Sequence, residues 1–135
     1  ETPGALDVKT DIFIDKVYAN LYDTDAQEHV RKEIEKFNQD CISDFGDSFV
    51  NLSESDQIKV LQKAEENSGQ FGSGVWGTTV GKPEPVGFYR SLKSTALWGY
   101  FTSQEIGENV LSYDPIPGGY NGCIPLSEVG NKWSL

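Results

Sequence analysis

The chain holds one histidine, two cysteines and 21 acidic residues, the groups most often used for acid–base, thiol and metal chemistry. His29 stands beside Glu28 near the start of a charged helical stretch. A general acid or base needs a pocket and an orienting carboxylate, and a solvated helix histidine is the reading its neighbours favour. A Ser-His-Asp or Cys-His arrangement assembles in space and is not excluded by spacing, but no nucleophile-elbow motif accompanies the lone histidine. An independent hydrolase would have to rely on it. Asp40, Asp44 and Asp47 suggest calcium, yet the EF-hand loop with its central Gly and closing Glu is absent, and these acids read as a helix end. There is no His pair, no Cys-x-x-Cys and no dinucleotide-binding glycine fingerprint after a strand. Nothing marks a carboxylate pair for glycoside cleavage. The expectation is no catalytic, metal or cofactor site in this chain.

The remaining chemistry is recognition. Trp76, Trp98, Tyr120 and Trp133 suit stacking on sugars, and equally suit core packing or a protein interface. Composition separates the two halves of the chain. Residues 1–66 hold 16 acidic and 7 basic residues, net −9, whereas 67–135 hold 5 and 4, net −1. Ten of the 16 aromatics and 12 of the 14 glycines fall after residue 66. Neutral, aromatic, turn-rich chain is the composition of interface cores, where charges are scarce. The overall charge of −10 argues against nucleic acid and against an anionic membrane surface, both of which need a basic face. No apolar run approaches the roughly 18 residues of a membrane span.

At 135 residues the chain is read as one domain, 1–135, able to bury a core without staples. Thr2-Pro3-Gly4-Ala5 is a turn, and Asp7 is expected to cap a first helix over about Val8 to Tyr22, with apolar positions Val8, Ile12, Val17, Tyr18 and Leu21 at a period of roughly 3.6. Asp25, with Glu28 as capping-box partner, is expected to open a second helix. Its stripe is Val30, Ile34, Phe37, Cys41, Ile42 and Phe45, and Gly46 is its stop. Ser53 caps a third helix whose buried side is expected to carry Ile58, Leu61 and Ala64, with Val60 a further candidate. Residues 69–87 form a Gly-rich connection, read as an inserted lid or clasp packed by Phe71 and Trp76, with room for a short hairpin. Pro85 precedes a fourth helix over about Val86 to Phe101, assigned to the core. Ser103 recaps a brief turn that Gly107 ends. Residues 112–135 read as a long irregular tail lying over the domain or over a partner. The fold class is all-α: about four helices, a Gly-rich loop and a wrapped tail. Cys41 and Cys123 lack metal-ligand spacing, and the residues leave a disulfide and two buried thiols equally open.

Four stretches together resemble the gluconate 2-dehydrogenase subunit 3 family, the small (gamma) subunits of membrane-linked sugar dehydrogenases. They are Thr2-Pro3-Gly4-Ala5 with Asp7-Val8; Phe49-Val50-Asn51-Leu52-Ser53 leading into a Gln- and Leu-bearing helix; Phe88-Tyr89 through Leu97-Trp98-Gly99-Tyr100-Phe101-Thr102-Ser103; and Leu111 to Cys123, which is similar to Bacteroidetes-type members. Segment 69–87 departs from the family as an insertion. The family's N-terminal targeting segment is not in the sequence, which opens in mid-turn at Glu1 as a trimmed chain would.

The resemblance implies a small all-helical, non-catalytic subunit that escorts, stabilises and stays bound to a large FAD-dependent subunit of the glucose-methanol-choline oxidoreductase type. FAD belongs to that partner, and a cytochrome c subunit is a further candidate partner. It also implies a periplasmic or otherwise extracytoplasmic location, which would permit a Cys41–Cys123 disulfide. Partner contact is expected on the tail, at Tyr113, Pro115, Pro117, Gly118, Tyr120 and Trp133, because buried aromatics dominate such interfaces. The alternative is a free-standing extracytoplasmic sugar-binding module using Trp76 and the tail aromatics.

Overall fold

In the computed structural model, residues 2–69, 73–75, 78–80, 86–113, 118, 123–129 and 133–134 are described. The fold is all-α, as the periodicity predicts. Its principal helices are α1 (Thr10–Leu21), α2 (Thr24–Phe45), α3 (Glu54–Glu66), α4 (Phe88–Phe101) and α5 (Gln104–Asn109). A 3-10 turn spans Phe49–Asn51, and a single helical turn, α6, spans Leu126–Val129. Short strands β1 (Ser73–Val75) and β2 (Thr78–Val80) pair antiparallel, which supplies the hairpin for which the Gly-rich segment had room. Strands β3 (Ser112–Tyr113) and β4 (Trp133–Ser134) pair in parallel. The stretch after Tyr113 is therefore less irregular than its prolines and glycines suggest, since it carries α6 and β4. The chain divides into two compact units, one of residues 1–17 and 95–135, the other of residues 18–94.

In the first unit, the opening turn is closed by its own acid. The Asp7 carboxylate accepts from the Gly4 backbone N–H at 2.8 Å, and the Asp7 N–H donates to the Gly4 carbonyl at 3.1 Å. Asp7 is thus spent on the turn and does not cap α1. The helix starts only at Thr10, after Lys9 has taken a left-handed conformation at φ 59°. Two residues of α4 then hold the turn and α1 in place. Tyr100 donates its hydroxyl to the Pro3 carbonyl at 2.9 Å. Gly99 is buried against Phe13, so close that a Cβ at Gly99 would land on the ring. Trp98 meets the same ring edge-to-face, centroids 5.0 Å apart and planes at 89°. Ser103 ends α4 by donating its hydroxyl to the Tyr100 carbonyl at 2.8 Å, and it makes no side-chain cap to α5. Gly107 lies inside α5, which continues to Asn109.

In the second unit, Asp23 and not Asp25 caps α2, its carboxylate accepting from the Ala26 N–H at 2.8 Å. Gln27 reaches back from α2 and donates its amide to the Tyr18 and Tyr22 carbonyls at 3.1 and 3.0 Å, satisfying acceptors that a helix C-terminus leaves orphaned. Gly46, at φ 86°, is the left-handed stop of α2. The Phe49–Asn51 turn links α2 to α3: the Phe49 ring lies 5.4 Å from Phe37, Asn38 accepts from the Phe49 N–H, and Gln57 of α3 donates to the Phe49 carbonyl at 3.0 Å. Ser53 caps α3 through the Asp56 N–H. Further on, Arg90 donates to the Glu65 carbonyl at 3.0 Å, and Lys93 donates to the Glu65 carboxylate at 2.8 Å, fastening the first half of α4 to the end of α3.

Two outcomes follow from these contacts. Gly99→Ala is expected to destabilise the protein by about 1–3 kcal/mol, since the methyl group overpacks Phe13. Gly107→Ala, which meets nothing within 4 Å, should instead raise stability by up to about 1 kcal/mol; urea unfolding of both variants checks the pair. The hydrogen bond from Lys93 holds the Glu65 carboxyl below the usual range. Its stabilisation is therefore complete above the ordinary glutamate pKa and fades as pH falls through the depressed one. Glu65→Gln should be less stable than the intact chain at neutral pH and converge with it in acid, read as urea midpoints across a pH series.

Candidate docking surfaces

The first surface lies in the unit of residues 1–17 and 95–135. Because Gly99 and Tyr100 turn inward, the neighbouring positions of α4 turn out: Leu97, Trp98 and Phe101 are 47, 52 and 45 % exposed. Ile12 on α1 and Leu6 in the opening turn are also exposed. This corrects the assignment of the whole Phe88–Phe101 helix to the core. The buried line of α4 is drawn by its small residue Gly99, while several of its largest apolar side chains meet solvent.

A second surface lies in the unit of residues 18–94. There α2, α3 and the start of α4 enclose a cleft of about 440 Å³. Its floor is Cys41 and Val60, both buried, and its walls are Phe37, Phe45, Phe88 and Tyr89. Its rim is charged. Lys36 pairs with Asp40 at 3.1 Å and Lys63 with Asp44 at 2.6 Å, and Glu33 also lines the cleft. Asp40 and Asp44 edge this cleft, and no group of three or more His, Cys, Asp or Glu placed to hold a metal occurs among the described residues. Burial, and then the charges of Asp40 and Asp44, push the Cys41 thiol above its ordinary value.

The residues expected to meet a partner fall unevenly. Gly118 is exposed at a bend. Tyr113 and Trp133 contribute backbone to the β3–β4 pair, with Ser112 opposite Trp133 and Tyr113 opposite Ser134; their side chains lie outside the described part. Pro115, Pro117 and Tyr120 lie outside the described residues, as do Phe71, Trp76 and Pro85. His29 is exposed on α2, as its neighbours predict. The two cysteines are not bonded in this structure: Cys41 is a buried free thiol and Cys123 an exposed one. Sequence reasoning missed the cleft and the exposed face of α4. The signal for the first was present in the acids interleaved with the α2 stripe, at Glu33, Asp40 and Asp44.

Thiol chemistry distinguishes the two cysteines. Iodoacetamide at pH 7.5 should alkylate Cys123 quickly and Cys41 only in denaturant, because reactivity follows exposure and thiolate fraction. Peptide mass mapping of the native and unfolded chain reads both rates.

No helix among the described residues is long and apolar enough to cross a membrane. No curated protein and no solved structure matches the sequence. The family model described as gluconate 2-dehydrogenase subunit 3 matches residues 1–118. That span includes the opening turn, the Phe49–Ser53 block and the Gly99-Tyr100 pair, whose contacts join the elements described above. The chain belongs to the gluconate 2-dehydrogenase subunit 3 family.

Proposed function

We propose that this chain is the non-catalytic small subunit of a sugar dehydrogenase complex. In this reading it binds and stabilises a large, FAD-dependent subunit of the glucose-methanol-choline oxidoreductase type and accompanies its export to the periplasm. FAD and the oxidation chemistry reside in the large subunit, with a cytochrome c subunit as a further member of the complex. Family membership supports the subunit role, because the family is named for one subunit of a dehydrogenase. The observation that carries the docking role is the exposed apolar face of α4. Leu97, Trp98 and Phe101 are about half in solvent on a helix whose other side is fixed by Gly99 and Tyr100. Large apolar groups gathered on one exposed face mark an interaction surface.

The α4 face and the tail residues Tyr113, Pro115, Pro117, Gly118, Tyr120 and Trp133 together form the contact in this proposal, with aromatic anchors supplying most of the affinity. Co-expression of the chain with the large dehydrogenase subunit of its source organism tests it. The two should co-purify, and Trp98→Ala and a Tyr113→Ala/Trp133→Ala double variant should each weaken the complex by roughly tenfold or more. Full-strength binding by all these variants would remove these residues from the interface. A shift of tryptophan fluorescence on adding simple sugars to the isolated chain would favour a free-standing sugar-binding module instead.

A further inference from the structure

We infer that the cleft between α2, α3 and the start of α4 is a second docking site, and that its occupant is a basic, amphipathic segment of the dehydrogenase subunit. This rests on the subunit reading above and adds the chemistry of what the cleft accepts. The segment would set apolar side chains against Phe37, Phe45, Phe88 and Tyr89 and lay Lys or Arg along the acidic rim.

The shape comes first. Phe45, which lines the cleft, is 36 % exposed at the end of the apolar stripe of α2. The mouth is open, with the Lys36 and Asp40 side chains 69 and 64 % exposed, so a chain segment can enter from the side.

Charge then selects the occupant. Both rim lysines are already neutralised, Lys36 by Asp40 and Lys63 by Asp44. Glu33 has no ion-pair partner among the described residues, which leaves the rim net negative. The final turns of α2 add to this. They hold Asp40 and Asp44 with no basic residue in the last turn, although the helix dipole already makes that end negative. Such a placement costs α2 stability, and departures of this kind from local preference gather at functional positions. Cys41, the thiol at the floor of the cleft, is raised first by burial and then by the same two carboxylates. A second copy of this chain, at net charge −10, is electrostatically the wrong occupant.

The test uses the co-expressed complex with the full-length chain. Ala64→Trp fills the cleft from α3, and Asp40→Asn/Asp44→Asn removes the rim acids while leaving both lysines. Circular dichroism and urea midpoints confirm that each variant folds, the Asn pair being surface changes of small effect on stability. Affinity is measured at 50 and 500 mM NaCl. Each variant is expected to bind about tenfold or more weakly at low salt, and the Asn pair to lose most of the salt dependence seen with the intact chain. If the intact chain binds and both variants bind as well, the cleft is not a docking site and the subunit reading stands. If Ala64→Trp weakens binding while the Asn pair changes neither affinity nor salt dependence, a basic occupant is ruled out. If the intact chain alone is a dimer that Ala64→Trp dissociates, the occupant is a second copy and the inference is overturned. If the intact chain binds no dehydrogenase at all, the subunit reading falls and takes this inference with it.

Discussion

The close approach of Gly99 to Phe13 is the contact on which one half of this protein depends. Only a residue without a Cβ lets α4 come so near the ring. Once it has, Tyr100 is placed to donate its hydroxyl to Pro3, 97 positions away in sequence, and the opening turn is held by a single part-buried hydrogen bond. Trp98 is fixed by the same event, because one edge of it meets Phe13 while the remainder stays in solvent. A short run of adjacent residues therefore both builds the scaffold and presents an aromatic on it. The arrangement also explains why two motifs far apart in sequence belong together: one supplies the carbonyl and the other the hydroxyl.

The other half is governed by a mismatch of lengths. Helix α2 runs for 22 residues, about 33 Å, whereas α3 runs for 13, about 20 Å. A stripe kept apolar along most of α2 is longer than α3 can cover. The Phe49 turn fastens the two helices at one end, through Phe37, Asn38 and Gln57. Arg90 and Lys93 bring the first half of α4 onto Glu65 at the end of α3. What these three elements leave between them is the cleft, with Cys41 and Val60 closed off beneath it.

The helices were legible because their periodicity and stop signals are local. Gly46 ends α2 and Ser53 caps α3 where the residues say they should. The starts were less legible where acids compete. Asp25 with Glu28 has the form of a capping box, but Asp23 stands two residues earlier and takes the Ala26 N–H first. Asp7 looks like a cap until its carboxylate is seen to close the turn onto Gly4. Side assignment on α4 failed for a different reason. Leu97, Trp98 and Phe101 share the arc of α4 that carries Arg90, Lys93 and Ser94, so large apolar residues stand on its polar side, and the inward side is marked by Gly99, which carries little hydrophobic signal of its own. The cleft was illegible as a cleft, because it needs the relative placement of α2, α3 and α4, although the acids around its rim were in plain view.

Those acids connect the two kinds of surface. Exposed ion pairs such as Lys36–Asp40 add little to stability, and carboxylates in the last turns of a helix oppose its dipole. Neither folding nor solubility requires them there, since a chain at −10 is already far from neutral. The α4 face has the opposite character, apolar and aromatic with little charge. An apolar face and an acid-rimmed apolar cleft thus occur on separate compact units.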